Sequence, residues 1–444
     1  MIDTIVRGGT LVRPDGRVKA DILMSEGRIA EIAPDLKHAA HEIDATGLHV
    51  FPGVIDVHLH FNEPGRTAWE GAETGSSALA AGGGTLFFDM PLNSTPCTIT
   101  ADAVDAKRAA LEASSVTDFG LWGGLVPGSV GQMSAMAERG VVGFKAFMCD
   151  SGLAEFAYSD DRTLRDGMRE AVRLGLPVAV HAESEEMTRT LASSMTGSTA
   201  QDFLASRPVA AEVDAIARAV DLAGETGAKL HIVHVSTGSG VAKAVEGRAR
   251  GVDVSIETCP HYLFFTDEDL DTIGVAVKCA PPLRHRSEQG RLWEAVLEGG
   301  IDIIASDHSP SEPSLKIAGD FRASWGGVAG VQSTLVVLLE RGLDGRRIRF
   351  ERISALLAAH PAARFRIPSK GALVTGNDAD LLLLDPSHSY TLDPAQLLQR
   401  HKMSPYIGFE FSGMVVRTIR RGETIFLNGE IVAETRGKFV RPHV

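Results

Sequence analysis

Two histidines, His58 and His60, follow the apolar run Val54–Val57 and have the residue type and the spacing of a metal site. Side chains alternate between the two faces of a strand, so residues two apart point the same way and can bind one ion. Taken alone the pair is a weak signal, because most H-x-H pairs are ordinary surface or packing histidines. The interpretation as ligands therefore depends on what the rest of the chain supplies.

Four further residues of ligand type stand at the ends of other short apolar runs: Lys145, His181, His234 and Asp307. Burial favours the neutral form of an amine, and a neutral lysine can take up carbon dioxide as a carbamate that could bridge two cations. The alternative for Lys145 is a side chain that extends to a polar rim. Asp307 could likewise cap a helix. Beside the histidine pair we interpret all four as ligands, and Asp307 also as the residue that moves protons.

Two other histidines lie next to these candidates. His231 and His234 are three residues apart, so a regular strand directs them to opposite sides. We predict that His234 is the ligand and that His231 is a hydrogen-bonded structural histidine beneath the helices. His308, which follows Asp307, is predicted to face away from the metals in a supporting or packing role.

Eight short apolar runs are separated by helix-like or loop segments over about 250 residues, which indicates a TIM-like (β/α)8 barrel. Helical patterns between the runs cover 101–113, 164–174, 210–223 and 240–250. Residues for chemistry lie where the strands of such a barrel end, and five of the eight runs carry a ligand-type residue there. The runs are Val54–Val57, Thr85–Phe88, Asp118–Trp122, Gly143–Phe147, Pro177–Val180, Lys229–Val235, Asp253–Ile256 and Ile301–Ala305.

The two ends of the chain have a different pattern of apolar and polar residues from its centre. Apolar and polar residues alternate there over short spans separated by turn signals such as Pro14-Asp15-Gly16. This is the pattern of an antiparallel sheet. We therefore predict an α/β protein in which both ends build one small β domain around the central barrel.

Composition excludes several classes of partner. The 444-residue chain has a formal net charge of −13 and offers no basic face to a nucleic acid. Its start lacks the pattern of a signal peptide, and no run of about 18 or more apolar residues could span a membrane. We therefore expect a cytoplasmic protein without a membrane partner. The four cysteines are far apart, without a C-x-x-C pair, and are predicted to be free, buried thiols.

The candidate ligands define a chemistry. Four histidines, one aspartate and one carbamylated lysine could hold two divalent ions. Imidazole and carboxylate ligands favour zinc, and cobalt, manganese and iron stay open. Paired metals generate hydroxide at neutral pH and stabilise the anion formed when it attacks a carbonyl. With Asp307 accepting the proton and passing it to a leaving nitrogen, the predicted reaction is hydrolysis of an amide.

Two loop residues are candidates for substrate contact. Asn93 follows the second apolar run, and His261 follows the seventh. Both loops belong to the end of the barrel that carries the ligands. The alternative for each residue is a role in stabilising its own loop, because polar loop residues often bond to nearby backbone.

The chain resembles the cyclic amidohydrolases of the amidohydrolase superfamily, notably in Pro52–His60 and Ser306–Pro310. The resemblance covers essentially the whole chain. It implies a β-sandwich at 1–51, a metal-dependent TIM-like barrel at 52–369 and the rest of the β-sandwich at 370–444. It also implies a homotetramer. The implied ligands are His58, His60, Lys145 and Asp307 for one ion and Lys145, His181 and His234 for the other.

The expected substrate follows from single residues and short segments within this resemblance. Dihydroorotases typically place a carboxylate-binding arginine after the H-x-H pair, whereas Asn62 here fits a neutral cyclic amide. Segments 88–96, 144–152 and 325–332 are similar to bacterial allantoinases. This similarity implies hydrolysis of the endocyclic amide of allantoin to allantoate, in purine breakdown. Asn62, Asn93 and the backbone near Gly326 are then expected to orient the ring and its ureido arm.

Three alternatives stay open within this fold. The first is a hydantoinase or dihydropyrimidinase, although hydantoinases usually carry a tyrosine where this chain has Cys149–Gly152. The second is a dihydroorotase. The third is a metal-free scaffold protein, which would have lost ligands that this chain keeps.

Overall fold

The computed structural model of the protein describes residues 3–37, 39–343 and 348–443. Its first strands form a meander in which β2 pairs antiparallel with both β1 and β3. The turn from β2 to β3 consists of Glu26 and Gly27, both with positive φ, which matches the twist of a tight hairpin. By contrast, β4 and β5 pair with β1 in parallel. The five strands are β1 (Thr4–Arg13), β2 (Gly16–Ser25), β3 (Arg28–Ala33), β4 (His41–Asp44) and β5 (His49–Pro52).

The central part of the chain carries parallel strands separated by helices, and each of the eight predicted runs contains one of them. They form a three-stranded sheet, β6-β7-β8, and a six-stranded sheet from β9 to β14. The strands are β6 (Val54–Leu59), β7 (Gly84–Asp89), β8 (Asp118–Leu121), β9 (Gly123–Gly124), β10 (Phe144–Phe147), β11 (Val178–His181), β12 (Leu230–Ile232), β13 (Val254–Thr258) and β14 (Ile303–Ile304).

Backbone hydrogen bonds join the two parallel sheets at both ends. Val142, which stands just before β10, donates its N–H to the carbonyl of Leu121 in β8, over 2.8 Å. At the other end Asp307 donates to the carbonyl of His58, and His60 donates to that of His308, over 2.9 and 2.8 Å. The segment after β14 thereby lies beside β6. This order of strands is consistent with the predicted barrel.

The helices cover the outer face of these strands, and the four predicted helical patterns are confirmed. In α4, for example, Asp160 caps the first turn, Gly175 ends the helix with positive φ, and Leu164, Met168 and Ala171 form the buried face. The helices are α1 (Ala72–Ala81), α2 (Ala101–Ser114), α3 (Met133–Arg139), α4 (Asp161–Leu174), α5 (Glu185–Ser194), α6 (Ala200–Ser206), α7 (Val209–Thr226), α8 (Gly238–Ala249), α9 (Pro260–Phe264), α10 (Asp269–Thr272), α11 (Arg286–Glu298), α12 (Thr334–Leu343), α13 (Phe350–Ser354) and α14 (His360–Arg364).

The last strands return to the first sheet. Strand β15 pairs antiparallel with β5, so both ends of the chain share one nine-stranded sheet, in the order β18-β17-β16-β15-β5-β1-β2-β3 with β4 beside β1. The prediction of one β-rich domain from both ends is therefore confirmed. The strands are β15 (Leu381–Thr391), β16 (Glu410–Arg420), β17 (Glu423–Leu427) and β18 (Glu430–Ile431).

A buried ion network holds the β-rich domain against the parallel strands. The ammonium of Lys370 lies 2.8 Å from Asp118 in β8, 2.6 Å from Asp380 and 2.9 Å from Asp378. Arg421 forms a further ion pair with Asp118. These three carboxylates are close enough together to suggest a cation site, but Lys370 already supplies the positive charge. The cluster is therefore a structural contact between domains.

The parallel strands bury alternate residues in two different places. Phe87 packs with the helices in the largest apolar cluster. Leu86 and Phe88 instead pack with Trp122 and Phe365 in a separate cluster between the strands. This inner cluster is apolar, and the polar side chains collect beyond it at the carboxyl ends of the strands. None of the helices among the described residues has the length and apolar character needed to cross a membrane.

Candidate active site

A cavity of about 530 Å³ opens at the carboxyl ends of the parallel strands. Five of the six predicted ligands line it, and the sixth, Lys145, is buried with only 1% of its surface exposed. The structure thus brings side chains that are up to 249 positions apart in the sequence to one place, from His58 to Asp307. The five lining ligands are His58, His60, His181, His234 and Asp307.

Asp307 lies between the two histidines of the H-x-H pair. Its Oδ1 is 3.2 Å from Nε2 of His58 and 3.5 Å from Nε2 of His60. One ligand atom from each of His58, His234 and Asp307 lies within 4.8 Å of the others. Burial acts to raise the pKa of Asp307, but the charges of the neighbouring histidines outweigh it and hold this pKa well below its usual range. Asp307 is therefore an anion at neutral pH.

His181 and His234 face each other directly. Nδ1 of His181 lies 3.0 Å from Nε2 of His234, while Nε2 of His181 is 2.8 Å from the carboxylate of Glu183. A carboxylate only accepts hydrogen bonds, so Nε2 of His181 carries the proton and Nδ1 is left with its lone pair directed toward His234. Burial, followed by the nearby charges of His181 and Lys145, lowers the pKa of His234 well below its usual value. Both rings are thus available as neutral ligands.

Lys145 is an amine without a hydrogen-bond partner. Its Nζ is buried, has no hydrogen-bond partner among the described residues, and lies 5.0 Å from the ring centroid of Phe147. Burial lowers its pKa from 10.5 to about 7, against the opposing attraction of Glu257 and Asp307. This environment agrees with the predicted neutral amine. The alternative, in which the lysine extends to a polar rim, does not match the structure, because the Lys145 side chain does not reach solvent.

Two glutamates near the ligands were not singled out from the sequence. Glu183 bonds His181 and forms an ion pair with Arg207. Glu257 bonds Nδ1 of His58 over 2.8 Å and Nε2 of His231 over 3.0 Å. A signal was present for Glu257, since it directly follows the seventh predicted run, Asp253–Ile256, as His181 directly follows the fifth.

The predicted position of His231 is wrong, although its hydrogen-bonded role is confirmed. Its ring is parallel to that of Trp122 in the inner cluster and bonds Glu257, which places it on the same side as His58 rather than beneath the helices. His234 reaches the cavity because its φ is +39°, a left-handed conformation that ends the alternation of the strand. His308 takes the packing role expected of it, with Nδ1 accepting the N–H of Gly330 over 3.1 Å.

The four predicted substrate contacts divide into two groups. Asn93 and Gly326 line the cavity. Asn62 and His261 do not. Asn62 is 1% exposed and donates to the carbonyl of Pro310 over 3.3 Å, so it connects the loop after β6 with the loop after Asp307. His261 is 1% exposed, has no hydrogen-bond partner on either ring nitrogen, and lies within 4.8 Å of Asp307 and Cys259.

The loops around the cavity mouth are fastened to one another by polar and aromatic contacts. Lys278 donates to the carbonyl of Ser324 and its own carbonyl accepts the N–H of Gly327. The rings of Trp69 and Trp325 pack edge to face with centroids 5.1 Å apart. The backbone segment 324–327 is thereby held at the cavity wall. The four cysteines are free and buried, as predicted.

Four residues at this end of the strands adopt positive φ without being glycine. The values are +64° for Asn62, +69° for Asn93, +39° for His234 and +44° for Asp307. Such conformations cost of order 1–3 kcal/mol each and persist only where the surroundings enforce them. Their concentration around one cavity is typical of a functional site.

The donor set fits divalent cations of the zinc type. Neutral imidazoles, a carboxylate anion and an unpaired buried amine are all directed to the same place. Imidazole and carboxylate are the side chains that bind zinc and related ions. Nδ1 of His234 is also buried without a partner. The residues present could therefore hold a metal centre.

Residues 49–425 match the family model described as "Amidohydrolase family". The chain belongs to the amidohydrolase family. As a member of that family it is an enzyme of the cyclic amidohydrolase type, and its site lies at the carboxyl ends of the parallel strands, where the fold places the chemistry of such proteins.

Relatives of this amidohydrolase cover its full length. It is 58% identical to the allantoinase of Solibacter usitatus over 445 aligned positions, which cover 100% of this chain and 97% of the relative. It is 54% identical to the allantoinase of Rubrobacter xylanophilus, with 99% of this chain and 98% of the relative covered. Among solved structures it is similar to the L-hydantoinase (dihydropyrimidinase) of Arthrobacter aurescens, with 35% identity, a TM-score of 0.96, and 99% and 100% of the two chains covered.

Proposed function

We propose that this amidohydrolase is an allantoinase, which opens the endocyclic amide bond of allantoin to give allantoate. The convergence of all six predicted ligands at one end of the parallel strands carries the proposal of a hydrolytic metal site. The choice of substrate depends on full-length identities of 58% and 54% to allantoinases. The alignments cover 100% and 99% of this chain, so they extend over the loops that form the cavity wall.

The proposed centre holds two divalent cations, with zinc as the first choice and cobalt, manganese or iron as alternatives. Lys145 is proposed to react with carbon dioxide to form N6-carboxylysine, because its amine is buried and has no other partner. Its two carbamate oxygens could then serve both ions. One ion would take His58, His60, Lys145 and Asp307, and the other would take Lys145, His181 and His234.

Asp307 is proposed to carry out the proton transfers of hydrolysis. When bound, the cations would supply a water activated at neutral pH and Lewis-acid polarisation of the amide carbonyl. Asp307 accepts the proton of the attacking water, because its carboxylate is ionised and reaches the cavity. Asp307 then donates that proton to the leaving ring nitrogen, which makes the nitrogen a neutral amide group and completes the ring opening.

The cavity wall offers contacts for a neutral, hydrogen-bonding ring. Asn93 and the backbone at Gly326 line the cavity and are proposed to bind the substrate. We assign Asn62 to holding the loop at Pro310 rather than to direct contact, since its amide is directed to that carbonyl. His261 is proposed to support Asp307 from behind, because it lies beside that carboxylate and away from the cavity surface.

The larger architecture is proposed to follow the same resemblance. The two parallel sheets would close into an eight-stranded TIM-like barrel at 52–369. The nine-stranded sheet would fold over its own apolar core, around Ile22 and Leu381, as a small β-sandwich from 1–51 and 370–444. The homotetramer and the cytoplasmic location stay predictions of the resemblance.

A second candidate is a hydantoinase or dihydropyrimidinase. It is favoured by the near-identity in shape to the L-hydantoinase of Arthrobacter aurescens, which has a TM-score of 0.96. The fold and the metal ligands do not distinguish the two activities, because both open a cyclic amide with the same kind of site. The difference must come from the cavity wall.

Turnover of four substrates by the metal-reconstituted enzyme tests the proposal. Allantoin, hydantoin, dihydrouracil and dihydroorotate would be compared side by side in kcat/KM, with ion content measured on the same preparation. We expect allantoin to be the best substrate by at least tenfold. The D307N protein, purified in the same way, controls for contaminating activity and should turn over each of the four at least about 10²-fold more slowly than the wild type. A preference for dihydrouracil would show that the assigned substrate is wrong.

A further inference from the structure

Glu257 is a fully buried carboxylate beside the proposed ligands, and it takes no part in the proposed proton transfers. Its exposed fraction is 0%, and it lies in β13 between Ile256 and Thr258, which are both fully buried. Charged side chains are almost never fully buried unless they are paired. Among the described residues its ion pairs are with His58 and His231. The contacts with these two histidines therefore account for a fully buried carboxylate at this position.

The two oxygens of Glu257 accept three hydrogen bonds. Oε1 is 2.8 Å from Nδ1 of His58 and 3.0 Å from the backbone N of His234. Oε2 is 3.0 Å from Nε2 of His231, whose Nδ1 is 2.8 Å from Oγ of Ser255. One side chain thus contacts two of the proposed ligands, one through its ring and the other through its backbone.

The chemistry of a carboxylate fixes what these bonds do. An ionised carboxylate has no proton to give, so the nitrogen that faces it must be the one that carries hydrogen. His58 is therefore protonated on Nδ1, and the lone pair of a neutral His58 ring is on Nε2, the atom directed toward Asp307. The same reasoning places the proton of His231 on Nε2 and makes its Nδ1 an acceptor for Ser255.

The backbone contact to His234 has a separate consequence. His234 has a φ of +39°, which a residue with a β-carbon rarely adopts. The bond from its N–H to Oε1 of Glu257 holds the backbone at the point where this turn begins. Because the turn is what brings the His234 ring into the cavity, Glu257 also positions the second ligand.

We propose that Glu257 is a positioning residue for the metal centre, which sets the tautomer of His58 and the backbone turn of His234. This inference rests on the proposed metal ligands. Carboxylates that orient metal-binding histidines typically contribute 10–100-fold to metal affinity. Glu257 does so for two ligands at once, and His231 with Ser255 keeps the carboxylate itself in place.

The test compares metal affinity in three proteins: wild type, E257Q and E212Q. The E257Q change keeps the shape of the side chain but removes its charge and one of its two acceptor oxygens. Glu212 is the matched control, since it is also a buried glutamate, 1% exposed, and bonds Ser236 and Thr237 rather than a proposed ligand. Zinc affinity would be measured by competition with a chromophoric chelator, and the cobalt-loaded proteins would be compared by their visible absorption spectra.

The expected result is a loss of zinc affinity of about 10- to 100-fold in E257Q and less than about twofold in E212Q, with unchanged melting temperatures. The cobalt spectrum of E257Q should also differ from that of wild type, because a reoriented ring alters the ligand geometry. Wild-type affinity in E257Q, or an equal loss in E212Q, would overturn the inference.

Two further outcomes are covered by the same design. Should E257Q not be recovered in a folded form, E257D takes its place, since it keeps the charge but withdraws the carboxylate by one methylene. A similar loss of affinity in E257D supports the inference, and wild-type affinity overturns it. A wild-type protein that binds no ion at all would overturn the proposed function together with this inference, whereas normal wild-type binding with an unaffected E257Q overturns the inference alone.

Discussion

Replacing Lys145 by methionine is expected to make the metal-free protein more stable while abolishing its function. The amine is 1% exposed and has no hydrogen-bond partner. Its pKa falls from 10.5 to about 7 because burial disfavours the ammonium. Each pKa unit corresponds to about 1.4 kcal/mol. At pH 7 the shift of the Lys145 pKa therefore lowers the free energy of unfolding by about 4 kcal/mol. Methionine fills a similar volume and has no charge to lose.

The pH dependence of this difference follows from the direction of the shift. Between about pH 7 and pH 10.5 the unfolded chain binds the proton at Lys145 and the folded chain does not, so the stability of the wild type rises with pH over that window. The K145M protein lacks this dependence. Its advantage should therefore shrink from about 4 kcal/mol at pH 7 to about 2 kcal/mol at pH 9.

The assay is chemical or thermal unfolding of chelator-treated proteins in buffer free of carbon dioxide, because carbamate formation would change the charge of the amine. Lys19→Met on the exposed surface of β2 is the control and should leave stability within about 0.5 kcal/mol of wild type. K145M should also lose its tightly bound ions and its turnover. A K145M protein that is less stable than wild type, or whose advantage does not depend on pH, would refute the burial of a neutral amine.

Three further predictions concern the site and its support. In D307N we expect kcat for allantoin to fall by about 10²- to 10⁴-fold, because the amide cannot take the proton, and a variant with near-normal kcat would exclude Asp307 as the proton carrier. Dialysis against a chelator should abolish turnover in proportion to the ions lost, as followed by elemental analysis, and zinc should restore it; full activity without ions would contradict a metal centre. Lys370→Met should lower the free energy of unfolding by about 3–5 kcal/mol, because the buried Asp118 and Asp380 and the half-buried Asp378 would lose their shared cation, while kcat per folded molecule stays unchanged.

The parallel strands and the cluster of candidate ligands could be predicted because a local pattern encodes them. A strand covered on both faces is a continuous apolar run, and a histidine or lysine at the end of such a run stands out against it. His181 ends β11, and Lys145 is the one charged residue within β10. The same rule also identifies Glu257, provided that a carboxylate next to an apolar run is considered in the same way as a histidine or a lysine.

The errors came from features that sequence patterns do not encode. Alternation along a strand assumes regular backbone, and the left-handed conformation at His234 breaks it, so the direction of His231 could not be deduced from spacing. The hydrogen bond from Asn62 to the carbonyl of Pro310 depends on how the neighbouring strands bring the two loops together, which spacing in the sequence does not show. The parallel pairing of β1 with β4 and β5 is likewise a long-range contact without a local signal.

The charge balance of the cavity floor gives a separate argument for cations. Asp307 and Glu257 are both buried anions, and among the described residues their ion pairs involve only histidines. The charge of a histidine depends on pH, and burial lowers the pKa of His60 and His231, so these two rings supply no permanent positive charge. The negative charge of Glu183, by contrast, is balanced at all relevant pH values by the guanidinium of Arg207. Buried anions without a permanent counter-charge are costly, so the binding of divalent cations at this floor would lower the free energy of the folded protein.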